Sequence, residues 1–223
     1  IQCCLVGSEM CIRDRLKLVE EDAHLAIWTT TPWTVPSNLA VCVGDDIEYS
    51  LVVDEESGKQ IYLATERLDQ YQGDTEFRVV KTLLGKDLVG RRYEPVFDYF
   101  AEKADEGAFV VISGDYVTTD SGTGLVHQAP AFGEEDYKAF QAAGLEAFAC
   151  PVSLHGEFTD EVPDFAGRHV KEADKDIISA LKAKGALYRQ DVIQHSYPYC
   201  YRSDTPLIYR AIPSWYVRVT AFK

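Results

Sequence analysis

Read for the spacing of its apolar residues, the chain is mainly a succession of short strands. Apolar and polar positions alternate over Ile47 to Val53 (IEYSLVV) and again over Gln60 to Ala64 (QIYLA). With the Gly-containing stretch DEESGK between them, they predict a β-hairpin. FRVVKTL, GAFVVIS and GTGLVHQA predict three further strands, separated by clusters of Gly, Asp and Pro. Two stretches carry the helical period instead. In GEEDYKAFQAAG (Gly133 to Gly144), acidic residues stand in the first turn and a glycine follows the last, as the helix dipole and C-cap favour. In VKEADKDIISALKAKG (Val170 to Gly185), Val170, Ala173, Ile177, Ala180 and Leu181 fall on one face.

The first fifteen residues, IQCCLVGSEMCIRDR, follow neither period, and their composition differs from everything after Lys17. They predict a frayed or disordered terminus, or vector- or adapter-derived sequence, so that the functional unit spans 16–223. Within it there is no internal repeat, low-complexity tract or long linker. The expected fold class is a single β-rich α+β domain, a closed or nearly closed β-barrel with peripheral helices.

Composition narrows the function. At 46% hydrophobic and 12% aromatic residues, the 223-residue chain has the apolar groups to fold. Its 36 acidic against 22 basic side chains give a net charge of −14, which argues against a domain that holds nucleic acid by its own surface charge. Any RNA contact is expected to be local or guided by another part of a larger protein. No run of about 18 apolar residues is present, so no membrane partner is expected. The six cysteines form no C-x-x-C pair and have no histidine at zinc spacing, which predicts reduced thiols and no metal.

Two stretches carry candidate chemistry. In WTTTPWTVPSN (Trp28 to Asn38), Thr29, Thr30 and Thr31 end an apolar run, and Pro32 biases Thr31 towards an extended backbone. Three hydroxyls at a strand end suit orienting a water or a substrate oxygen, and Asn38 adds an amide that donates and accepts. Each residue also has a plain structural role, threonine as a strand former and asparagine as a turn former. In GTGLVHQAPAFGEEDY (Gly122 to Tyr137), His127 near a strand end and Asp136 in the first turn of a helix can converge across the corner between them. The phosphate-loop, dinucleotide, G-x-S-x-G and H-E-x-x-H patterns are all absent, and no nucleophile–base pair is signalled. That inventory suits positioning a water rather than covalent catalysis. The terminal stretch HSYPYCYRSDTPLIYRAIPSWYVRV (His195 to Val219), with Arg202 and Arg210 among aromatics, is read as a packed aromatic ribbon in preference to an RNA-stacking surface.

Taken together and in order, WTTTPWTVPSNLAV, GTGLVHQAPAFGEEDY and the terminal stretch resemble the editing domain inserted in isoleucyl-tRNA synthetases, over Leu16 to Lys223. Valyl and leucyl editing domains resemble it less, because their first motif looks like T-T-R-P-[ED]-T. RSDTPLIYRAIPSWYVRV resembles the eukaryotic and archaeal form, which implies a cytoplasmic protein. The resemblance implies hydrolysis of the ester between a wrong amino acid, chiefly valine, and the terminal adenosine of tRNA(Ile). This enzyme family is itself the standard worked case for a second sieve, since one methylene separates the two amino acids.

Carried over by residue, Thr30 and Thr31 act with Asp136 on the ester. The threonine run helps to hold the attacking water, and Asp136 pairs with the substrate α-ammonium. Thr29, Trp33 and Asn38 shape the pocket, and His127 blocks the larger isoleucine side chain. Near a helix N-terminus, Asp136 is expected to stay ionised. No metal or other cofactor is implied. Signatures of the H-I-G-H and K-M-S-K-S type are absent, so ATP and magnesium would serve only the synthetic part of the enzyme. The partners implied are the aminoacylated 3′ end of tRNA(Ile) and the remainder of the synthetase, the isolated domain being monomeric. Two alternatives stay open: a non-catalytic tRNA- or protein-binding module with the same barrel, and a valyl-type domain acting on threonyl esters.

Overall fold

A computed structural model describes residues 3–71 and 76–222, with the backbone alone for 3–12 and 192–197. The strands are β1 (Cys3–Lys17), β2 (His24–Thr29), β3 (Ala40–Val43), β4 (Glu48–Asp54), β5 (Gln60–Ala64), β6 (Phe77–Leu84), β7 (Val110–Ser113), β8 (Val126–Gln128) and β9 (Leu187–Pro198). The helices are α1 (Leu68–Tyr71), α2 (Glu134–Ala142) and α3 (Val170–Ala183). All strands join one mixed sheet, in the order β6-β4-β5-β2-β8-β3-β7, with β1 pairing with β2 and β9. The fold is α+β and β-rich, as its alternation predicted. The ladder is an open, curled half-barrel and not a closed one, because among the described residues its end strands β6 and β7 do not pair with each other.

The predicted hairpin is β4 and β5, antiparallel from Tyr49 opposite Ala64 to Val53 opposite Gln60. All four residues of β3 are buried, as a strand covered on both faces requires. Helix α3 buries Val170, Ala173, Ile177 and Leu181 as its period dictates, together with Ile178, while Ala180 is only partly buried against the core. Ile177 is 0% exposed, so Ile177→Ala is expected to lower unfolding free energy by about 2–5 kcal/mol, read as a fall in denaturant midpoint at unchanged slope.

Two expectations differ from the structure. From Cys3 onwards the aperiodic first residues lie in β1, which pairs antiparallel with β2 from Ile12 opposite Thr29 to Lys17 opposite His24, and with β9 along most of its length. Register with a strand almost two hundred residues away leaves no periodic mark in the segment itself. Arg13 also forms an ion pair with Asp191 of β9. The terminal stretch is not a packed ribbon. Beyond β9 a single bridge joins Tyr199 to Pro206, and Tyr201, Tyr209, Trp215, Tyr216 and Phe222 are exposed. Arg210 donates to the Val152 and Ala211 carbonyls rather than pairing with an acid. Aromatic residues pack only where a second layer covers them, and none of the described elements covers these.

Cys42, Cys150 and Cys200 are free thiols, whereas the side chains of Cys3, Cys4 and Cys11 lie outside the described residues. Among the described residues no helix is long and apolar enough to cross a membrane.

Candidate active site

The sheet order builds the site. Strand β8 lies between β2, its parallel neighbour at Trp28 and Val126, and β3, its antiparallel neighbour from Ala40 opposite Gln128 to Cys42 opposite Val126. The connection from β2 to β3 must therefore cross the end of β8. It does so as a 3₁₀ turn, Pro32–Ser37, every residue of which is buried. Proline at its first position supplies a preset φ, and the missing N–H is one that a helix start leaves unpaired. The strand β8 is itself entered through GTG, where Gly122 and Gly124 have φ of +68° and +78° and a Cβ on Gly124 would lie 2.5 Å from that of Ala64. Only glycine fits that approach.

Crossing β8 places the polar residues of the turn around His127. Asn38 Nδ2 lies 2.8 Å from His127 Nδ1 and donates to the Ala40 carbonyl at 3.0 Å. On the other side of the ring, His127 Nε2 is 3.0 Å from Thr34 Oγ1. Thr34 Oγ1 also donates to the Thr31 carbonyl at 2.8 Å and lies 3.2 Å from Thr31 Oγ1, which is 3.2 Å from Thr29 Oγ1. Tyr93 completes the set, its hydroxyl donating to Asn38 Oδ1 at 2.6 Å. His127 is 6% exposed, and burial pushes its pKa down to about 4, so the ring is neutral at physiological pH. Thr30 makes no side-chain hydrogen bond among the described residues and is half-buried.

Trp33 joins this turn to the next element. Its ring meets Phe132 edge-on at 5.0 Å, and Phe132 lies in the APAFG turn that leads into α2. The Trp33 indole N–H is buried with no hydrogen-bond partner among the described residues. Asp136, in the first turn of α2, accepts from the Ala129 N–H at 2.8 Å, which ties α2 to the end of β8. Among the described residues no hydrogen bond joins Asp136 to His127; the carboxylate instead meets the backbone two residues further along, at Ala129. Burial pushes the Asp136 carboxyl up to about 6, partly offset by the Ala129 N–H. The expected helix-dipole effect is thus outweighed, although the group is still mainly ionised at pH 7.

Gly133 caps α2, and a Cβ there would sit 2.8 Å from Asp136 Oδ1. Gly133→Ala is expected to displace the carboxylate from the Ala129 N–H and to destabilise by about 1–2 kcal/mol, measurable by denaturation.

The structure therefore gathers Thr29, Thr31, Asn38 and His127 into one hydrogen-bonded group and holds Trp33 and Asp136 beside it through Phe132 and Ala129. Thr34 and Tyr93 belong to that group and had gone unnoticed. Thr34 stands three residues after Thr31, the spacing at which a helical turn brings side chains together, whereas nothing around Tyr93 marks it. A cleft of about 1050 Å³ lies next to this group, between α2 and the exposed terminal stretch. It is lined by Gly133, Glu134 and Tyr137 on one side and Tyr209, Ile212 and Tyr216 on the other, and not by the threonines. Among the described residues no three or more His, Cys, Asp or Glu side chains are grouped to hold a metal ion.

No protein-family model matches the chain. It is 56% identical over 210 residues, 93% of its length, to the isoleucine–tRNA ligase of Bdellovibrio bacteriovorus. It is 51% identical over 207 residues, 90% of its length, to the cytoplasmic isoleucine–tRNA ligase of Schizosaccharomyces pombe. The chain spans about 20% of the length of these curated relatives, which include both bacterial and eukaryotic enzymes. Among solved structures, the crystal structure of GlLeuRS-CP1 superposes with a TM-score of 0.65 at 14% identity, covering 81% of this chain and 99% of that one. The P. knowlesi cytosolic leucyl-tRNA synthetase editing domain gives a TM-score of 0.57 at 8% identity, covering 86% of this chain and 98% of that one. The chain belongs to the isoleucine–tRNA ligase family, as a segment about one-fifth of such an enzyme in length that carries the editing-domain fold.

Proposed function

We propose that this domain hydrolyses valyl esters of tRNA(Ile), with a positioned water attacking the ester carbonyl. The observation that carries the reading is the convergence of the threonine turn, Asn38 and His127 at the end of β8, with Asp136 held alongside. The water is oriented by the threonine hydroxyls. The ionised Asp136 receives the α-ammonium, and the buried, neutral His127 limits how large an amino-acid side chain is admitted. An aminoacyl ester is activated relative to an amide, so positioning and electrostatic stabilisation supply most of what its hydrolysis needs. No metal or ATP takes part.

The remainder of a cytoplasmic ligase delivers the acceptor end, since a net charge of −14 disfavours tRNA binding by the domain alone. The reading predicts that deacylation of valyl-tRNA(Ile) persists in chelator and that an N-acetylated valyl ester, lacking the ammonium, is cleaved far more slowly. Loss of activity in chelator, or equal cleavage of the two esters, would contradict it. Faster cleavage of threonyl than valyl esters would support the valyl-type alternative, and no cleavage of any ester the non-catalytic one.

A further inference from the structure

We propose that Tyr93, Asn38, His127 and Thr34 form a directed hydrogen-bond relay that leaves Thr29 and Thr31 facing substrate as hydrogen-bond acceptors and Thr30 as the donor. The proposal rests on the hydrolytic reading above and deepens it: Tyr93 and Thr34 become positioning residues for the attacking water.

The direction follows from counting protons. The Ala40 carbonyl can only accept, so the group 3.0 Å from it is the Asn38 NH₂, and the amide orientation is fixed. The same NH₂ lies 2.8 Å from His127 Nδ1, which must therefore be unprotonated. Asn38 Oδ1 points the other way and is held there by the Tyr93 hydroxyl. A neutral imidazole with bare Nδ1 carries its proton on Nε2, and that proton goes to Thr34 Oγ1.

Thr34 spends its own proton on the Thr31 carbonyl, so its contact with Thr31 Oγ1 is one in which Thr31 donates. The proton of Thr31 being used, Thr29 donates to Thr31 Oγ1. Thr34 is then saturated: one bond given and two received. Thr29 also receives the Thr31 N–H at 3.1 Å, and what remains unfilled on Thr29 and Thr31 is one lone pair each. Thr30, outside the relay, keeps a free hydroxyl proton. Thr29 and Thr31, whose hydroxyls lie 3.2 Å apart, thus offer two acceptors for the hydrogens of a water, and Thr30 a donor for the ester oxygen.

The test has two readouts on the 223-residue chain. Without substrate, the imidazole ¹⁵N–¹H spectrum at pH 7 is expected to show His127 as the neutral Nε2–H tautomer. A charged or Nδ1–H ring overturns the relay whether or not the domain hydrolyses esters. With valyl-tRNA(Ile), Thr34→Val is expected to lower kcat about 5- to 20-fold at little-changed KM, with Thr34→Ser restoring it to within about 2-fold. Equal loss in both variants, or none in Thr34→Val, overturns the positioning role. Should Thr34→Val not fold, Tyr93→Phe supplies the second variant. In Tyr93→Phe the Ala40 carbonyl still fixes the Asn38 amide, so the Nε2–H tautomer is expected to persist while kcat falls about 2- to 5-fold at little-changed KM, and an undiminished kcat counts against a positioning role for Tyr93. A wild-type chain that shows the Nε2–H tautomer but cleaves no ester refutes the hydrolytic reading and not the proton order.

Discussion

Asp136→Asn is expected to lower kcat/KM for valyl-tRNA deacylation by about 10- to 100-fold, the loss of a charge-assisted hydrogen bond of ~1.5–3 kcal/mol. The amide keeps an oxygen to accept the Ala129 N–H, so the corner between β8 and α2 should survive and the missing charge is what the assay reads. Burial raises the carboxyl to about 6, and the ionised form is the one that can receive an ammonium. Wild-type activity should therefore fall as the pH is lowered through about 6, and the residual activity of the variant should not show that step.

Stability should move the opposite way. A carboxylate whose folded pKa is raised favours folding when protonated, and this contribution is lost as the pH rises from about 4 through 6. Asp136→Asn should thus leave activity lower and the fold about 1–3 kcal/mol more stable at pH 8, after allowing for an amide only partly paired. A group held at the expense of stability is what a functional carboxylate looks like, and a merely structural one would lose stability on substitution.

Asp14→Val is expected to stabilise the chain by on the order of 4 kcal/mol at pH 8. Asp14 is in phase with Leu16 in β1 and with Leu18 just beyond its end, and all three are buried. Neither of its oxygens has a hydrogen-bond partner among the described residues, and desolvation alone lifts the carboxyl to about 7. Between about pH 4 and 7 the folded chain binds a proton that the unfolded chain releases, so stability declines as the pH rises across that window. Above it, the full penalty applies. Denaturant titrations at pH 4 and pH 8 should show the variant and wild type close at the first and far apart at the second. An equal difference at both pH values would mean that Asp14 is paired or solvated. The misfit falls in the segment whose composition departs from the rest of the chain.

Elements whose period is self-contained were legible from sequence. The β4–β5 hairpin, α2 and α3 each repeat a pattern that needs no distant partner, and α3 differs in burying Ile178 beyond its expected stripe and in leaving Ala180 only partly buried. Strand β1 was not legible, because its place depends on β9 and β2 rather than on alternation of its own. The same division runs through the site. Thr29, Thr31, Asn38 and His127 were drawn together by motif order, and the sheet explains why: a turn joining the two neighbours of β8 has to pass over its end. Tyr93 could not be found, since its only link to the site is a hydroxyl reaching Asn38 from an isolated bridge residue in a loop. The ionisation of Asp136 was legible in sign of charge but not in degree, because the helix position is local while the burial that opposes it is not. The exposed aromatics of the terminal stretch show the same limit, since composition says they are apolar and not what covers them.

The most direct measurement compares deacylation of valyl-tRNA(Ile) and isoleucyl-tRNA(Ile) by this chain at pH 7.5, with and without the Asp136→Asn substitution. The proposed ester hydrolysis requires rapid loss of the valyl ester, persistence of the isoleucyl ester, and slow loss of both with the variant. Equal hydrolysis of the two esters by the wild-type chain, or an undiminished rate in the variant, would contradict it.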